Sequence, residues 1–574
     1  MDTGCPVRKN ESYDIAITAQ GTQGEGIGKV DGFTVFVKDA VAGDVLNVKV
    51  VKVNKSYAFA RINQVLTPSP ARAVPACGAF ARCGGCNLMH IAYNQQLKIK
   101  TQRVRDALER IGGFYGIEVS DTIGMEAPYR YRNKMQFPVG YGKDGTPVTG
   151  FFAPRSHTLV PVNDCLTGVE GFSAVTEAVK EFMQRYQVAP YDEKTQKGVI
   201  RHVFVRVNSA GEMMVVIVAN ALHLAHADEL VSLLRERVER LVSVIHNINT
   251  ENTNLILGKH NVTLWGADTL TDTLGGLRFE ISPHSFYQVN HAQTEVLYQT
   301  ALDFAALSGQ ETVFDLYCGI GTISLFLAQK AKQVLGIEIV PEAVADARRN
   351  AEVNGIENAS FFCGAADKAV AELYSAGERA DVVVIDPPRK GGDEVTLSTI
   401  LKMKPKRIVY VSCNPETLAR DAKFLCESGK YCIKQVQPVD MFPHTAHVET
   451  VVMLSHKKPD SHINVKVEFG EGEGKVPLDK IAKRAEAYKP KERVTYKMIK
   501  EYIEAKYGFK VHTAYIAEVK RSLGLPMYDA PNAVEELKQP RKHPTAEKVE
   551  AIKDALKYFG TINGEKIKER SGLL

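Results

Sequence analysis

The stretch FDLYCGIGTISL, residues 314–325, combines a buried apolar strand, a turn with two glycines and the start of a helix. The strand runs to Asp315, and the turn holds Gly319 and Gly321. Glycines between a parallel strand and a helix let backbone amides approach a ligand at the carboxyl edge of a sheet. The stretch therefore predicts a ligand site in an α/β domain.

The same rhythm continues along the chain from about residue 293. Apolar strands alternate with helices in QVLGIEI, ASFFCG, DVVVIDPP and RIVYVSC. Strands this apolar are typical of a parallel sheet that is covered by helices on both faces. Glu338 ends the second strand, where it is placed to accept hydrogen bonds from a ribose. A nicotinamide enzyme would carry the same acid, so that chemistry stays open on these residues alone.

Two further strand ends carry reactive side chains. DVVVIDPPRKG (381–391) places Asp386 and two prolines in a rigid loop at the ligand edge. RIVYVSCNPETLARD (407–421) places Cys413 at the end of the next strand, just before a helix. Amides at the start of that helix would favour a Cys413 thiolate. Simple packing is the alternative for this cysteine.

One more acid precedes the last apolar strand. PVDMFPHTAHVETVVML (438–454) presents His444, His447 and Glu449. A glutamate in this position could serve as a base.

Three cysteines fall within ten glycine-rich residues. CGAFARCGGC contains Cys77, Cys83 and Cys86, and Cys165 is available to complete a set of four. Four thiolates suit a tetrahedral zinc ion or an iron–sulfur cluster, and the spacing does not choose between them. A reducing compartment is expected, because no export signal precedes the ten cysteines.

The whole chain has the composition of an ordinary soluble protein. Its 574 residues are 44% hydrophobic and 24% charged, which indicates several globular domains and excludes collagen-like or wholly disordered chains. Residues 12–66 predict about five short strands closing into a small barrel, with basic and aromatic residues that suit RNA. A barrel with merely polar faces remains the alternative. No apolar run approaches a membrane span.

The C-terminal part is basic. Residues 461–574 hold 23 Lys and Arg against 17 Asp and Glu, while the whole chain has a net charge of +5. Two amphipathic helices are predicted over 495–507 and 512–523. A helix-turn-helix and a plain helical appendage both fit, and we expect this extension to add RNA contacts.

Together these motifs, with SFYQVN (285–290), resemble the bacterial uracil-5 RNA methyltransferases. The similarity is greatest to the iron–sulfur branch that acts on 23S ribosomal RNA and carries an N-terminal TRAM domain. The resemblance implies S-adenosylmethionine as methyl donor and a [4Fe-4S] cluster. It also implies a cytoplasmic monomer that acts on 23S ribosomal RNA, without DNA or membrane partners.

The resemblance assigns roles to individual residues. Cys413 matches the nucleophile and Glu449 the base. The positions that match the S-adenosylmethionine site are Gln288, Tyr317, Gly319, Gly321, Glu338 and Asp386. The positions that match the cluster ligands are Cys77, Cys83, Cys86 and Cys165.

The expected architecture is a multidomain α/β chain. It comprises a TRAM β-barrel (9–67), a central α+β domain with the cysteine cluster (68–290), a Rossmann-like class I methyltransferase domain (291–456) and a helical extension (461–574). A tRNA uracil-5 methyltransferase and an inactive RNA-binding or ribosome-assembly protein are the alternatives. The presence of both Cys413 and Glu449 weighs against the inactive protein.

Overall fold

The computed structural model describes residues 5–456, 496–523 and 544–559. The chain divides into two compact units, the first ending at Ile463 and the second beginning at Asn464. Among the described residues, every helix is too short or too polar to cross a membrane.

The first unit begins with a closed five-stranded barrel. Strand order is β1-β2-β3-β5-β4, and pairing of β1 with β4 closes the barrel. Alternate apolar side chains, among them Ile15, Val37 and Val48, fill its interior. The predicted barrel is confirmed. The strands are β1 (Ser12–Gln20), β2 (Gly26–Val30), β3 (Phe33–Lys38), β4 (Val45–Val53) and β5 (Tyr57–Thr67).

A helix and a seven-stranded sheet follow. Helix α1 (Tyr93–Ala107) continues as a π-helical turn to Gly112. The sheet has the order β12-β11-β10-β9-β6-β7-β8, and β13 pairs with β14 in a separate hairpin. The elements are β6 (Lys134–Tyr141), β7 (Pro147–Phe152), β8 (Leu159–Pro161), α2 (Phe172–Arg185), β9 (Ile200–Val207), β10 (Met213–Ala219), α3 (Ala227–Arg237), β11 (Leu241–Ile248), β12 (His260–Gly266), β13 (Leu270–Leu274) and β14 (Leu277–Ile281).

The second seven-stranded sheet has the order β17-β16-β15-β18-β19-β21-β20. Its first five strands are parallel, and they are the five of the predicted rhythm. The elements are α4 (His291–Ala305), β15 (Thr312–Leu316), α5 (Thr322–Ala328), β16 (Gln333–Glu338), α6 (Pro341–Val353), β17 (Ala359–Cys363), α7 (Ala366–Ser375), β18 (Val382–Ile385), α8 (Glu394–Met403), β19 (Arg407–Ser412), α9 (Pro415–Glu427), β20 (Tyr431–Val439) and β21 (Glu449–His456).

Helices cover both faces of this second sheet. Successive strand residues such as Val313 and Phe314 are fully buried in different apolar clusters, because side chains alternate between the faces of a sheet. One face packs on α4, α5 and α6, and the other packs on α7, α8 and α9. The strands β20 and β21 are antiparallel, an orientation that the apolar pattern alone did not indicate.

The described part of the second unit is helical. The helices are α10 (Tyr496–Tyr507), α11 (Thr513–Ser522) and α12 (Ala546–Tyr558). They share a core that includes Ile503, Ile516 and Ile552. Helices α10 and α11 lie where the sequence predicts them. The rest of the extension, including most of its charged residues, lies outside the described residues.

Candidate active site

The carboxyl ends of three parallel strands bring the predicted residues to one edge of the second sheet. Leu316, Ile385 and Tyr410 lie at corresponding positions of β15, β18 and β19. Asp386 follows the second of these strands, and its amide donates to the Leu316 carbonyl (3.3 Å). Cys413 follows the third. The predicted side chains therefore project from adjacent strand ends.

The glycine loop after β15 adopts the backbone that only glycine takes easily. Gly319 and Gly321 have φ angles of 55° and 82°. A Cβ atom on Gly319 would meet open space, whereas one on Gly321 would lie 3.1 Å from the Phe361 ring. Gly319 thus leaves room for a ligand beside the backbone, and Gly321 permits close packing against Phe361 of β17.

Glu338 is bound to this loop. Its carboxylate accepts the Gly319 amide (3.1 Å) and the Val340 amide (2.9 Å). Asp315 lies fully buried beneath the loop, with one oxygen bonded to Ser324 and the other without a hydrogen-bond partner. Burial raises the pKa of Asp315 to about 7, and the nearby Glu338 charge adds to that shift. An unpaired buried oxygen beside an open glycine fits a polar ligand at this edge.

Tyr317 and Gln288 lie on different sides of the site. Tyr317 has a φ angle of 66°, and its hydroxyl donates to Asp393 Oδ2 (3.2 Å) beside the glycine loop. Gln288 is buried, and it lines the cavity that the four predicted cluster cysteines share. The structure therefore groups Tyr317, Gly319 and Glu338, and it places Gln288 towards the cysteines.

Cys413 is half-buried between β19 and α9. The side chain of Asn414 caps α9 by accepting the Glu416 amide (3.1 Å). Burial, together with the charges of Glu449 and Asp386, raises the pKa of Cys413 to about 11. Burial and the two carboxylates therefore act against the thiolate that the start of α9 would favour, and a stabilised Cys413 thiolate stays a prediction.

Glu449 is the first residue of β21, where it lies opposite Val439 of β20. The residue is 4% exposed. Burial, together with the charge of Asp386, raises the pKa of Glu449 to about 8. Asp386 has a pKa raised to about 7 by burial and by Asp315. Cys413 and Asp386 thus both interact electrostatically with Glu449.

Arg389 is a residue of this site that the motif analysis did not single out. Its charge lowers the pKa of both Cys413 and Glu449. It also lines two neighbouring cavities, one of about 450 Å³ that contains Cys413 and one of about 510 Å³ that contains the four cysteines. Its place in IDPPRKG could have marked it, but a cation in a proline-rich loop usually indicates only exposure.

The segment before Glu449 is anchored to helix α1. Lys100 forms a buried ion pair with Asp440, and the His444 amide donates to Gln96 Oε1 (3.0 Å). His444 is 3% exposed and its ring stacks on Tyr129. The contacts give His444 a packing role, and they fix the chain that leads to Glu449.

Asn87, which follows the last clustered cysteine, connects three parts of the first unit. Its Oδ1 accepts the Ala446 amide (2.8 Å), and its Nδ2 donates to the Gln23 carbonyl of the barrel (2.6 Å). Its own amide donates to the His444 carbonyl (3.1 Å). The cysteine loop, the barrel and the segment before Glu449 therefore meet at one side chain.

The four predicted cluster ligands line one cavity. Electrostatic repulsion from the other three thiols contributes to the pKa of Cys86, which burial raises to about 12. Within residues 5–456, 496–523 and 544–559, no group of three or more His, Cys, Asp and Glu side chains is placed to hold a metal ion. The assignment of Cys77, Cys83, Cys86 and Cys165 as ligands stays a prediction.

Two protein-family models match this chain. The family model described as tRNA (Uracil-5-)-methyltransferase matches residues 92–457, well over half of the chain. The chain belongs to the tRNA (uracil-5-)-methyltransferase family. The TRAM domain model matches residues 6–62 of this family member, which confirms the predicted type of barrel.

Relatives with similar sequences are also described as RNA methyltransferases. A protein of Clostridium tetani, described as an uncharacterized RNA methyltransferase, is 47% identical over 457 residues, with 79% of this chain and 99% of the relative covered. A Halalkalibacterium halodurans protein of the same description is 48% identical over 453 residues, with 79% and 98% covered.

A solved structure extends the comparison. The Pyrococcus abyssi tRNA (uracil-54, C5)-methyltransferase, crystallised with S-adenosyl-L-homocysteine, has a TM-score of 0.63 and 27% identity, with 77% of this chain and 99% of that chain covered. The predicted class I methyltransferase domain and membership of the S-adenosylmethionine-dependent RNA uracil-5 methyltransferases are confirmed.

Proposed function

We propose that this methyltransferase forms 5-methyluridine in 23S ribosomal RNA, with Cys413 as the nucleophile and Glu449 as the base. The observation that carries the activity is the placement of Cys413 and Glu449 next to the paired residues Ser412 and Thr450, with Asp386 following the neighbouring strand β18. A cavity of about 450 Å³ gives Cys413 access to a nucleotide. A uracil ring must leave its stack to enter such a cavity, so the target uridine would be flipped or already unpaired.

The chemistry follows from the electron distribution of uracil. Carbon 5 is a poor nucleophile until the Cys413 sulfur bonds to carbon 6, which breaks the ring double bond and gives an enolate. Carbon 5 of this enolate would take the electrophilic methyl group that S-adenosylmethionine supplies when bound, as the methyl–sulfonium bond breaks and S-adenosylhomocysteine leaves. Glu449 then removes the proton from the substituted carbon 5, the double bond re-forms and the Cys413 thiolate leaves.

The residues around the glycine loop fit S-adenosylmethionine. The open space beside Gly319, the orphaned oxygen of Asp315 and the carboxylate of Glu338 provide surfaces for a polar, ribose-bearing group. Tyr317 lies on the same loop. We propose that these residues hold the cofactor, together with Asp386 and Gln288.

The four cysteines line one cavity and interact electrostatically, so they could hold one bound group. Four thiolates suit either a zinc ion or an iron–sulfur cluster, and the resemblance to the iron–sulfur branch favours the cluster. We propose a structural cluster held by Cys77, Cys83, Cys86 and Cys165, because methyl transfer needs no electron.

The cluster proposal predicts the metal content of the protein. Anaerobically purified protein should contain iron and sulfide in about equal amounts and show broad visible absorption. Cys86→Ser should lower the iron content severalfold, whereas Cys432→Ser, in the distant strand β20, should leave it unchanged. One zinc per chain with no sulfide would instead assign the cysteines to a zinc site.

The site also predicts how the rate depends on pH. Cys413 and Glu449 must both lose a proton to act, and burial raises their pKa values to about 11 and about 8. The methylation rate at subsaturating RNA should therefore rise throughout pH 6.5–9, with apparent values that belong to the pair. Initial rates with tritiated methyl donor would measure the profile. A flat profile, or one that falls above pH 7, would contradict this assignment.

Two observations bear on whether the substrate is 23S ribosomal RNA or tRNA. The TRAM barrel together with the four cysteines resembles the 23S ribosomal RNA branch. The Pyrococcus abyssi relative acts on uracil 54 of tRNA, so tRNA is the second candidate. Mapping 5-methyluridine in both RNAs from a strain that lacks the gene separates the two: loss from 23S RNA alone supports the proposal, and loss from tRNA alone overturns it.

A further inference from the structure

A second cleft lies between the barrel and helix α1. It has a volume of about 530 Å³, and one wall is formed by residues 18–22 of the barrel. The other wall is a stripe along α1 and its π-helical turn, with members spaced three or four residues apart. The charged members of the stripe include Lys98, Arg103, Asp106 and Arg110.

This cleft continues into the cavity that contains Cys413. Thr22, Arg103, Glu416 and Ala446 line both. A chain that leaves the Cys413 cavity on this side therefore enters the cleft directly. The Arg103 guanidinium is already occupied, since it binds both Glu416 oxygens (3.1 and 3.0 Å) and the Ala446 carbonyl (2.7 Å). Arg103 shapes the junction between the cavities.

Two other cations remain available along the cleft. Lys98 is exposed, and within the described residues it has no ion-pair partner. Arg110 is exposed, with a single contact to Asp106 (3.4 Å) at the surface. Twelve residues separate them, which corresponds to roughly 18 Å along the helix. Between them, Ile99 and Ala107 supply apolar surface.

A polynucleotide strand matches this pattern. Cations at intervals neutralise phosphates, and apolar surface between them accommodates ribose and base faces. We propose that the cleft binds the single-stranded RNA immediately next to the target uridine, with Lys98 and Arg110 contacting its phosphates. The inference rests on the proposed function, because the strand is defined by the nucleotide at Cys413.

The test reverses charge in the full-length protein. Lys98→Glu with Arg110→Glu is compared with Lys402→Glu with Lys423→Glu, two exposed lysines on α8 and α9 that line none of the four cavities. Two RNA probes are compared. Both contain the unmodified target uridine, but only one carries the single-stranded segments that flank it. Melting temperature and S-adenosylhomocysteine binding check that both variants are folded.

The cleft variant should bind the flanked RNA at least tenfold more weakly at about 0.1 M salt. Loss of two phosphate contacts should also reduce the slope of log K against log salt by about 1.4. In methylation assays, the cleft variant should have a higher KM for the flanked RNA and an unchanged kcat. The wild type, the cleft variant and the control variant should bind the RNA without flanks equally.

Three outcomes remain distinct. Equal affinities and salt slopes for wild type and cleft variant, with methylation intact, would overturn the cleft while leaving the proposed function. An equal loss in the control pair would show general electrostatics and also overturn it. If the wild type bound RNA but never methylated it, the proposed function would fail, whereas the binding comparison would still measure the cleft.

Discussion

Cys413→Ala should abolish methylation, with a loss of at least about 10⁴-fold in kcat, because no covalent path to the carbon 5 enolate remains. Cys413 is half-buried and its removal deletes one sulfur atom, so the fold should persist. Transfer of tritium from the methyl donor to target RNA measures the activity. Binding of S-adenosylmethionine should stay within about twofold of wild type.

Cys432→Ala is the matched control. Cys432 is likewise half-buried and free, but it lies in β20 and its sulfur contacts the Ser455 carbonyl (3.9 Å). We expect this variant to methylate RNA at the wild-type rate. Turnover by Cys413→Ala above background would remove Cys413 from the role of nucleophile. Loss of cofactor binding in that variant would indicate a structural role instead.

Much of the fold is predictable because strand and turn chemistry are local. Short β-branched runs with glycines predict the barrel, and apolar strands with helices predict the five parallel strands. The carboxyl edge follows from that topology, so Asp386 and Cys413 could be placed together before the structure was known. The antiparallel strand β21 was harder, because fully buried strands have the same apolar pattern in either direction.

Electrostatic properties of the site could not be predicted from the sequence. The helix start after Cys413 suggested a stabilised thiolate, but burial and Glu449 raise the pKa of Cys413 instead. Desolvation depends on what packs over a residue, and distant segments supply that packing here. The same limit applies to Arg389, and to the cleft, which forms only when the barrel packs against α1.

Glu449→Gln should trap the RNA on the protein. Without a base, the carbon 5 proton stays on the methylated adduct, so the Cys413–carbon 6 bond cannot be eliminated. Product release should fall by about 10²–10⁴-fold, while one round of methyl transfer still takes place. The adduct should survive denaturing electrophoresis as a slowly migrating band that carries both the RNA and the transferred methyl group.

The substitution is suited to the site. With its pKa raised to about 8, Glu449 is largely protonated at neutral pH, and glutamine has the shape and neutrality of that form. Glutamine also cannot ionise, so it never carries the negative charge that would raise the pKa of Cys413, and addition to carbon 6 should not be slowed. The double variant Cys413→Ala with Glu449→Gln should give no band. If Glu449→Gln instead turned over at the wild-type rate and formed no adduct, another group would be the base. Asp386, whose charge raises the pKa of Glu449, would be the first candidate.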